Sequence, residues 1–245
     1  MKVSAVPFYQ VLDVSMCQDR TVILLDIFRA TSFIVTAIWK GCQSVIPVES
    51  EITAFELAKP EDLLAGEYMG KPIANFDIDN SPTALLNMKL NEKRIIQSTT
   101  NGTRAIQRAQ QASSILIGSF LNLQAVVDQA RQLENDILLL CAGTRGQFSL
   151  EDGLAAGFII KGLIEGSAKI ELDDFAKILL IKASSVQYDW RAWCLEGVAG
   201  KRLQSRGKKS DLDYCLRLND CDIVPQGKWI EIFQKDIKRN ICIID

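Results

Sequence analysis

Between residues 21 and 165 short apolar runs alternate with stretches whose apolar positions recur at helical spacing. Residues 21–26 are continuous enough in apolar character to be a strand buried on both faces, and 30–39 follow with helical spacing, ended by Gly41. The same alternation predicts a strand over 44–48 with a helix over 51–59, then a short strand over 63–67. It resumes with a strand over 94–99 and a helix over 102–112, a strand over 115–118 and a helix over 123–133, and a strand over 137–141 and a helix over 151–165. Between the two series, residues 70–82 form a loop rich in Gly, Pro, Asn and Asp, long enough to suggest function rather than connection.

Strands alternating with helices of this length require right-handed crossovers and a sheet covered on both sides. The expected fold class is α/β, a three-layer α/β/α arrangement around a largely parallel sheet. One compact domain over 1–245 is expected, with lobes 1–115 and 116–245 as an alternative division. Beyond 165 the rhythm changes. Residues 175–203 read as mostly helical with Trp190 and Trp193 as packing anchors, 211–218 as a further helix, and 222–225, 229–233 and 241–244 as strands. The basic run Lys201, Arg202, Arg206, Lys208 and Lys209 reads as a solvated helix end.

Composition removes many functions. Of 245 residues 48% are apolar, enough for a large core, and 28 basic against 30 acidic side chains give no general attraction to nucleic acid or anionic membrane. No run approaches the roughly 18 apolar residues of a membrane span, and residues 1–13 do not have the pattern of a signal peptide. Seven cysteines, an odd and scattered set without a CxxC pair, fit reduced thiols in a cytoplasmic protein, most of them as small core residues. There is no histidine, so a Ser-His-Asp or Cys-His nucleophile, a phosphohistidine, an HExxH zinc site and a histidine base are impossible. Cys141 and Arg145 are separated by three residues, whereas a cysteine phosphatase loop needs five. No GxxxxGK[ST] or GxGxxG motif occurs, and Phe28 stands where an aspartate-nucleophile phosphatase carries its second Asp.

In a parallel sheet ligands bind beyond the carboxyl ends of the strands. The polar residues expected there include Asp26, Arg29 and Thr31 after the first strand, Glu67 after the third, and Asp152 at the start of the last helix of the series. Asp26, Glu67 and Asp152 together would make an oxygen site suited to Mg²⁺. Separately, Asp26 could pair with Arg29 and Asp152 could complement a helix dipole. Thr99, Thr100, Asn101, Gly102, Thr103 and Arg104 combine hydroxyls, a glycine at a helix start and a charge, as a phosphate or sulfonate would need; an Asn-capped helix without ligand is the other reading.

Several of these segments match a known pattern in order: Asp26-Ile27-Phe28-Arg29-Ala30-Thr31, Leu64-Ala65-Gly66-Glu67, Phe76-Asp77, Asn80-Ser81-Pro82 and Thr99-Thr100-Asn101-Gly102-Thr103-Arg104. Gly118-Ser119-Phe120-Leu121-Asn122, Cys141-Ala142-Gly143 and Phe148-Ser149-Leu150-Glu151-Asp152 complete it. The chain resembles the 2-phosphosulfolactate phosphatases, Mg²⁺-dependent enzymes associated with sulfolactate and coenzyme M biosynthesis. It departs from the pattern at Tyr68, where Arg is common, at Asn75 and Asp79 in place of Gly, and at Ala155 in place of Cys. The resemblance implies hydrolysis of (2R)-phospho-3-sulfolactate, a small phosphorylated hydroxy acid, with Mg²⁺ bridging phosphate oxygens. It implies Asp26 as the leading metal ligand, Glu67 or Asp152 as base, and Arg29 and Arg104 offsetting charge. Thr99, Thr100, Asn101 and Gly102 would cradle the anionic groups. A phosphatase of broader 2-phospho-hydroxy acids and a non-catalytic anion-binding relative are the alternatives, and a homodimer is the default assembly from symmetry statistics.

Overall fold

A computed structural model of the chain describes residues 1–165, 169–186, 189–234 and 237–245. The first strand is one that the apolar pattern passes over. β1 (Lys2–Val6) is short and terminal, with Val3, Ala5 and Val6 buried and Ser4 half-buried. β2 (Thr21–Leu25) is buried at every position and leads into α1 (Ala30–Trp39). β3 (Ser44–Val48) and α2 (Glu51–Leu57) follow, the latter started by the Ser50 hydroxyl, which accepts from the Thr53 amide. β4 (Leu63–Tyr68) enters the expected loop, which contains the two-residue strands β5 (Lys71–Pro72) and β6 (Ile78–Asp79) and ends at α3 (Pro82–Leu85).

The second series is β7 (Arg94–Ser98), α4 (Gly102–Arg108), β8 (Ser114–Gly118), α5 (Leu123–Leu133), β9 (Ile137–Cys141) and α6 (Leu150–Glu165). Then come β10 (Glu171–Leu172), α7 (Asp174–Ser185), α8 (Trp190–Glu196), α9 (Val198–Ser205) and α10 (Lys209–Cys215). The single helical stretch expected over 175–203 is thus three helices; Gly197, in extended backbone, separates α8 from α9, and residues 187–188 lie outside the described set. The strand expected over 222–225 is absent. Asp222 is exposed and Pro225 has no amide for a ladder, so this segment only approaches β8, where its Pro225 carbonyl accepts from the Ile117 amide at 2.9 Å. The chain closes with β11 (Gln226–Gln234) and β12 (Ile237–Ile244).

The sheet runs β10-β1-β9-β2-β8-β11-β12-β3-β7-β4-β5. Strands β1, β9, β2 and β8 are mutually parallel, as are β3, β7 and β4. The β11–β12 hairpin lies between the two groups and is antiparallel to both. The fold is α/β with a largely parallel sheet, as expected, and its layers follow from side-chain alternation. Val22 and Leu24 of β2 pack into one core with Phe33, Ile34 and Ile106 of α1 and α4. Ile23 and Leu25 pack into another with Val126, Leu154, Ile159 and Leu179 of α5, α6 and α7. Trp190 is buried there against Phe120 and Phe158, with ring centroids 4.5 and 5.6 Å away. Trp193, expected as a second anchor, is 42% exposed under the Lys182 ammonium, because only one face of α8 meets the core.

One buried ion cluster ties the late helices to the tip of β2. The Arg29 guanidinium donates to Asp211 at the start of α10 and lies 3.7 Å from Asp79, which also pairs with Lys208 at 2.7 Å. Asp211 accepts from the hydroxyls of Ser81 and Thr83, each at 2.6 Å. Burial alone would raise its carboxyl, but the Ser81, Thr83 and Arg29 donors outweigh burial and hold it below the ordinary carboxylate value. Removing one partner of such a cluster leaves an uncompensated buried charge. Asp211→Ala should therefore lose about 3–5 kcal/mol, measured by urea unfolding at pH 7. Because the folded value is depressed, this contribution is complete above the unfolded carboxylate value of about 3.9 and lost as pH falls through the folded one. The gap between the two proteins should shrink in that acid window, and a gap constant through it would assign the stability to something other than the carboxylate.

Candidate active site

Asp26 stands one residue beyond β2, at the carboxyl edge of the sheet. The turn into α1 fixes its backbone: the Asp26 amide donates to the Thr31 hydroxyl at 3.0 Å and its carbonyl accepts from the Thr31 amide at 3.0 Å. Its Oδ1 accepts from the Ala30 amide at 3.2 Å. Its Oδ2 lies against Gly102 at the start of α4, where a Cβ would come within 2.7 Å of that oxygen and 2.5 Å of Ala30 Cβ. Only glycine allows this approach. Burial pushes the Asp26 carboxyl up to about 6; the Ala30 amide opposes this, the Glu67 charge adds to it, and the Arg202 charge and the Gly102 amide oppose it.

Glu67 comes to the same rim from β4. The preceding residue must be glycine: Gly66 has φ +152°, and a Cβ there would sit 1.9 Å from the Ser98 carbonyl of β7. Glu67 Oε1 accepts from the Thr100 amide at 2.8 Å, and Oε2 accepts from the Thr100 hydroxyl at 3.1 Å and from the Gly70 amide. It also borders a cleft of about 240 Å³ shared with Tyr68, Ser98, Thr99 and Arg104.

Asp152 and Glu151 open α6 as two acids in its first turn. Asp152 Oδ1 accepts from the Ile27 amide at 2.9 Å and Oδ2 from the Gly143 amide at 3.1 Å, so this carboxylate clamps the ends of β2 and β9 together. Burial, then the charges of Glu151 and Asp26, push it well above the carboxylate range against those two amides. Glu151 is buried with Oε2 lacking any hydrogen-bond partner. Burial raises it to about 8; its own backbone amide opposes this, the Asp26 charge adds to it and the Arg202 charge opposes it. Burial and these two acids also hold the Cys141 thiol well up, a protonated core group rather than a nucleophile. All seven cysteines are buried and unpaired, as expected of core residues.

Of the acids predicted to converge, Asp26 feels the charge of Glu67 and acts in turn on Asp152 and on Glu151. Among the described residues no three His, Cys, Asp or Glu side chains are gathered as a ready-made metal cage. The residues expected to cradle an anion are occupied differently. The Thr100 amide and hydroxyl serve Glu67, and Gly102 serves Asp26. Thr99 and Thr103 bond reciprocally, each amide donating to the other's hydroxyl at 3.1 Å, and Thr31 holds the Asp26 turn. Arg29 carries the Asp211 and Asp79 pairs. Arg104 is exposed at the cleft, and Asn101 is half-buried at the head of α4.

Two participants escape the sequence reading. Glu151 stood next to Asp152, and a pair of adjacent acids at a helix start was the available signal. The reading of the basic run as a solvated helix end holds for Lys201, Arg206 and Lys209, which are exposed, but Arg202 Nε is buried without a partner, Arg206 also donates to the carbonyls of Gly70 and Met69, and Lys208 pairs with Asp79. Burial and the charges of Arg145 and Arg206 draw the Arg202 guanidinium down, and the charges of Glu67 and Asp26 oppose this. No local pattern distinguishes such a run from a solvated one, because its partners lie more than 50 residues away.

With this geometry in place, comparison with known proteins is specific. The family model described as 2-phosphosulpholactate phosphatase matches residues 9–228. A probable 2-phosphosulfolactate phosphatase of Carboxydothermus hydrogenoformans is 39% identical over 212 residues, 86% of this chain and 87% of the relative. One of Clostridium acetobutylicum is 36% identical over 220 residues, covering 85% of this chain and 90% of its own length. One of Clostridium beijerinckii is 32% identical over 219 residues, 87% and 91% of the two chains. The match spans both halves of the sheet and every segment of the acidic rim, and the chain belongs to the 2-phosphosulfolactate phosphatase family.

Proposed function

We propose that this chain is a phosphoric monoester hydrolase that converts (2R)-phospho-3-sulfolactate to 3-sulfolactate and phosphate with Mg²⁺. The observation that carries this reading is the convergence of Asp26, Glu67, Glu151 and Asp152 on one sheet edge, in a chain of this family. All four donors are hard oxygen ligands, and Glu151 Oε2 is a buried carboxylate oxygen with nothing to bond. Mg²⁺ usually takes one or two carboxylates and keeps several waters, so it does not require a preformed cage. The residues present fit it: Asp26 leads, Glu151 offers its unpartnered oxygen, and Glu67 and Asp152 stand behind with oxygens already oriented by amides. When bound, the ion supplies neutralisation of phosphate charge.

The chain's own residues supply position and proton control. A phosphate monoester passes through a loose transition state that needs little covalent help, so alignment and charge dominate. Glu67 borders the open cleft and is held by Thr100 and Gly70, which suits it to orient the attacking water. Asp152, whose two oxygens accept from the Ile27 and Gly143 amides, serves as the clamp between strands. Arg104 lines the cleft and offsets substrate charge. Arg29, committed to Asp211 and Asp79, sets the turn that presents Asp26. A second reading, a phosphatase of broader 2-phospho-hydroxy acids, draws on Tyr68, which puts a phenol in the cleft where the family commonly has a guanidinium.

Phosphate release from phosphosulfolactate should require Mg²⁺ and stop in a chelator. Preference over phospholactate and phosphoglycolate should exceed tenfold; a ratio near one would favour the broader enzyme, and release unaffected by the chelator would remove the metal from the mechanism. Asp26→Asn should lower kcat by about 10²-fold or more. It should melt no lower than the parent, since it removes a charge from a crowded buried cluster. Gly102→Ala, which drives a methyl group into Asp26 Oδ2 and Ala30, should cause a comparable loss through position alone. Near-wild-type turnover in both variants would sink the assignment of Asp26.

A further inference from the structure

The helix α9 crosses the acidic rim and is tied down on both sides of it. At its start, Gly197 packs against α6, where a Cβ would lie 3.2 Å from Glu151 Oε2. Just past its end, Arg206 donates to the carbonyls of Gly70 and Met69, and the Gly70 amide is the one that donates to Glu67. Eight helical residues span about 12 Å, so Arg202 sits between the Glu151 side and the Glu67 side. Its Nε is buried with no hydrogen-bond partner, and among the described residues no carboxylate lies within ion-pair distance of its guanidinium. Arg145 comes to the same place from the tight turn after β9, closed by the Thr144–Gln147 bridge, where it adopts φ +53° and stands exposed. The charges of Arg145, Arg206, Glu67 and Asp26 all act on Arg202.

A guanidinium placed this way is unfavourable without an anion. A buried N–H is unpaired, two like charges are close, and most nearby carboxylate oxygens already accept from backbone amides. The proposed substrate carries acid groups besides its phosphate, a carboxylate and a sulfonate, each a planar or tripodal oxygen set that suits a forked donor. We infer that Arg202, with Arg145 beside it, binds the non-phosphoryl acid end of the substrate and so determines the preference for phosphorylated acids over neutral phosphate esters. This rests on the phosphosulfolactate reading above and adds to it the residues that select the substrate. Arg202 contacts the substrate in this assignment but takes no part in bond breaking.

The test uses the full chain with Mg²⁺ and compares wild type with Arg202→Gln, Arg202→Lys and Arg145→Gln, the last altering only an exposed turn. Calorimetric titration with 3-sulfolactate, lactate and inorganic phosphate gives a readout independent of turnover. Arg202→Gln should weaken 3-sulfolactate at least tenfold, Arg202→Lys should recover part of this, Arg145→Gln should weaken it about threefold, and inorganic phosphate should change less than threefold throughout. An equal loss for lactate would assign the carboxylate as the bound group, and a loss for 3-sulfolactate alone the sulfonate. KM for phosphosulfolactate should rise with kcat within about threefold. Unchanged 3-sulfolactate binding in Arg202→Gln, or equal weakening of phosphate and 3-sulfolactate, would overturn the inference, the second by showing only general charge balance. Absence of turnover by the wild type would instead defeat the parent reading, and the titrations would still decide whether Arg202 selects the acid end.

Discussion

Like charges gathered in a dry place are the constraint on which the rest of this structure depends. Asp26, Glu151 and Asp152 are each raised chiefly by loss of water, and each then raises or is raised by a neighbour. Such a cluster survives because main-chain amides are aimed at it: Ala30 and Gly102 at Asp26, Thr100 and Gly70 at Glu67, Ile27 and Gly143 at Asp152. These donors sit at strand tips and helix starts, where amides have no ladder or helix partner of their own. The same geometry that attracts an anionic ligand in other parallel sheets here organises protein carboxylates. In the proposed reading a rim built of carboxylates takes a cation first, rather than the substrate directly.

How distant segments reach that rim is a matter of topology. The two parallel groups of strands are joined through an antiparallel hairpin, and Gly227 of β11 lies so close to β8 that a Cβ would be 3.2 Å from Ile115 Cβ. The rim draws Asp26 and Asp152 from one group and Glu67 from the other, so its shape depends on how the groups meet. The Arg29–Asp211 pair, closed by Ser81, Thr83 and Asp79, spans that meeting and brings the segment after α9 onto the turn beyond β2. Its buried charges are matched from three separate parts of the chain, which gives a defined geometry at the expense of tolerance to substitution.

The sequence made the alternating elements legible because a strand buried on both faces has no polar position to confuse the pattern, as in β2 and β9. α5, with polar and apolar faces, was read to the residue. What periodicity could not reveal was pairing across the chain. The hairpin's place between β8 and β3 depends on edges that no local window contains, and β1, with Lys2 and Ser4 among its five residues, lacks the continuous apolar run of β2. The candidate site was legible only as residue types at strand ends, where the charge of Glu67 reaches Asp26 and that of Asp26 reaches Asp152. Donor direction was not. Thr99, Thr100 and Thr103 look the same in sequence whether their hydroxyls face a ligand or one another, and here Thr99 and Thr103 close on each other. Arg202 was hidden for a related reason, as the charges that act on it include those of Arg145, Glu67 and Asp26 from distant segments.

The mixture of acids and guanidiniums bears on rate as well as recognition. In the proposed reading a site lined only with cations would hold the phosphate tightly before reaction, and affinity that is equal in ground and transition states does not accelerate chemistry. Acids at the reacting end make neutralisation conditional on the metal, so that charge is supplied where it develops. In the same reading Arg202 and Arg145, displaced toward α9, grip atoms that do not change during hydrolysis. Binding energy gathered there can fix the ester relative to Asp26 and Glu67, and fixing geometry is the contribution a loose phosphoryl transition state most needs. Tyr68 then acquires a physical meaning. With the Arg104 guanidinium already lining the cleft, a phenol beside Glu67 shapes it without adding a second positive charge near the attacking water.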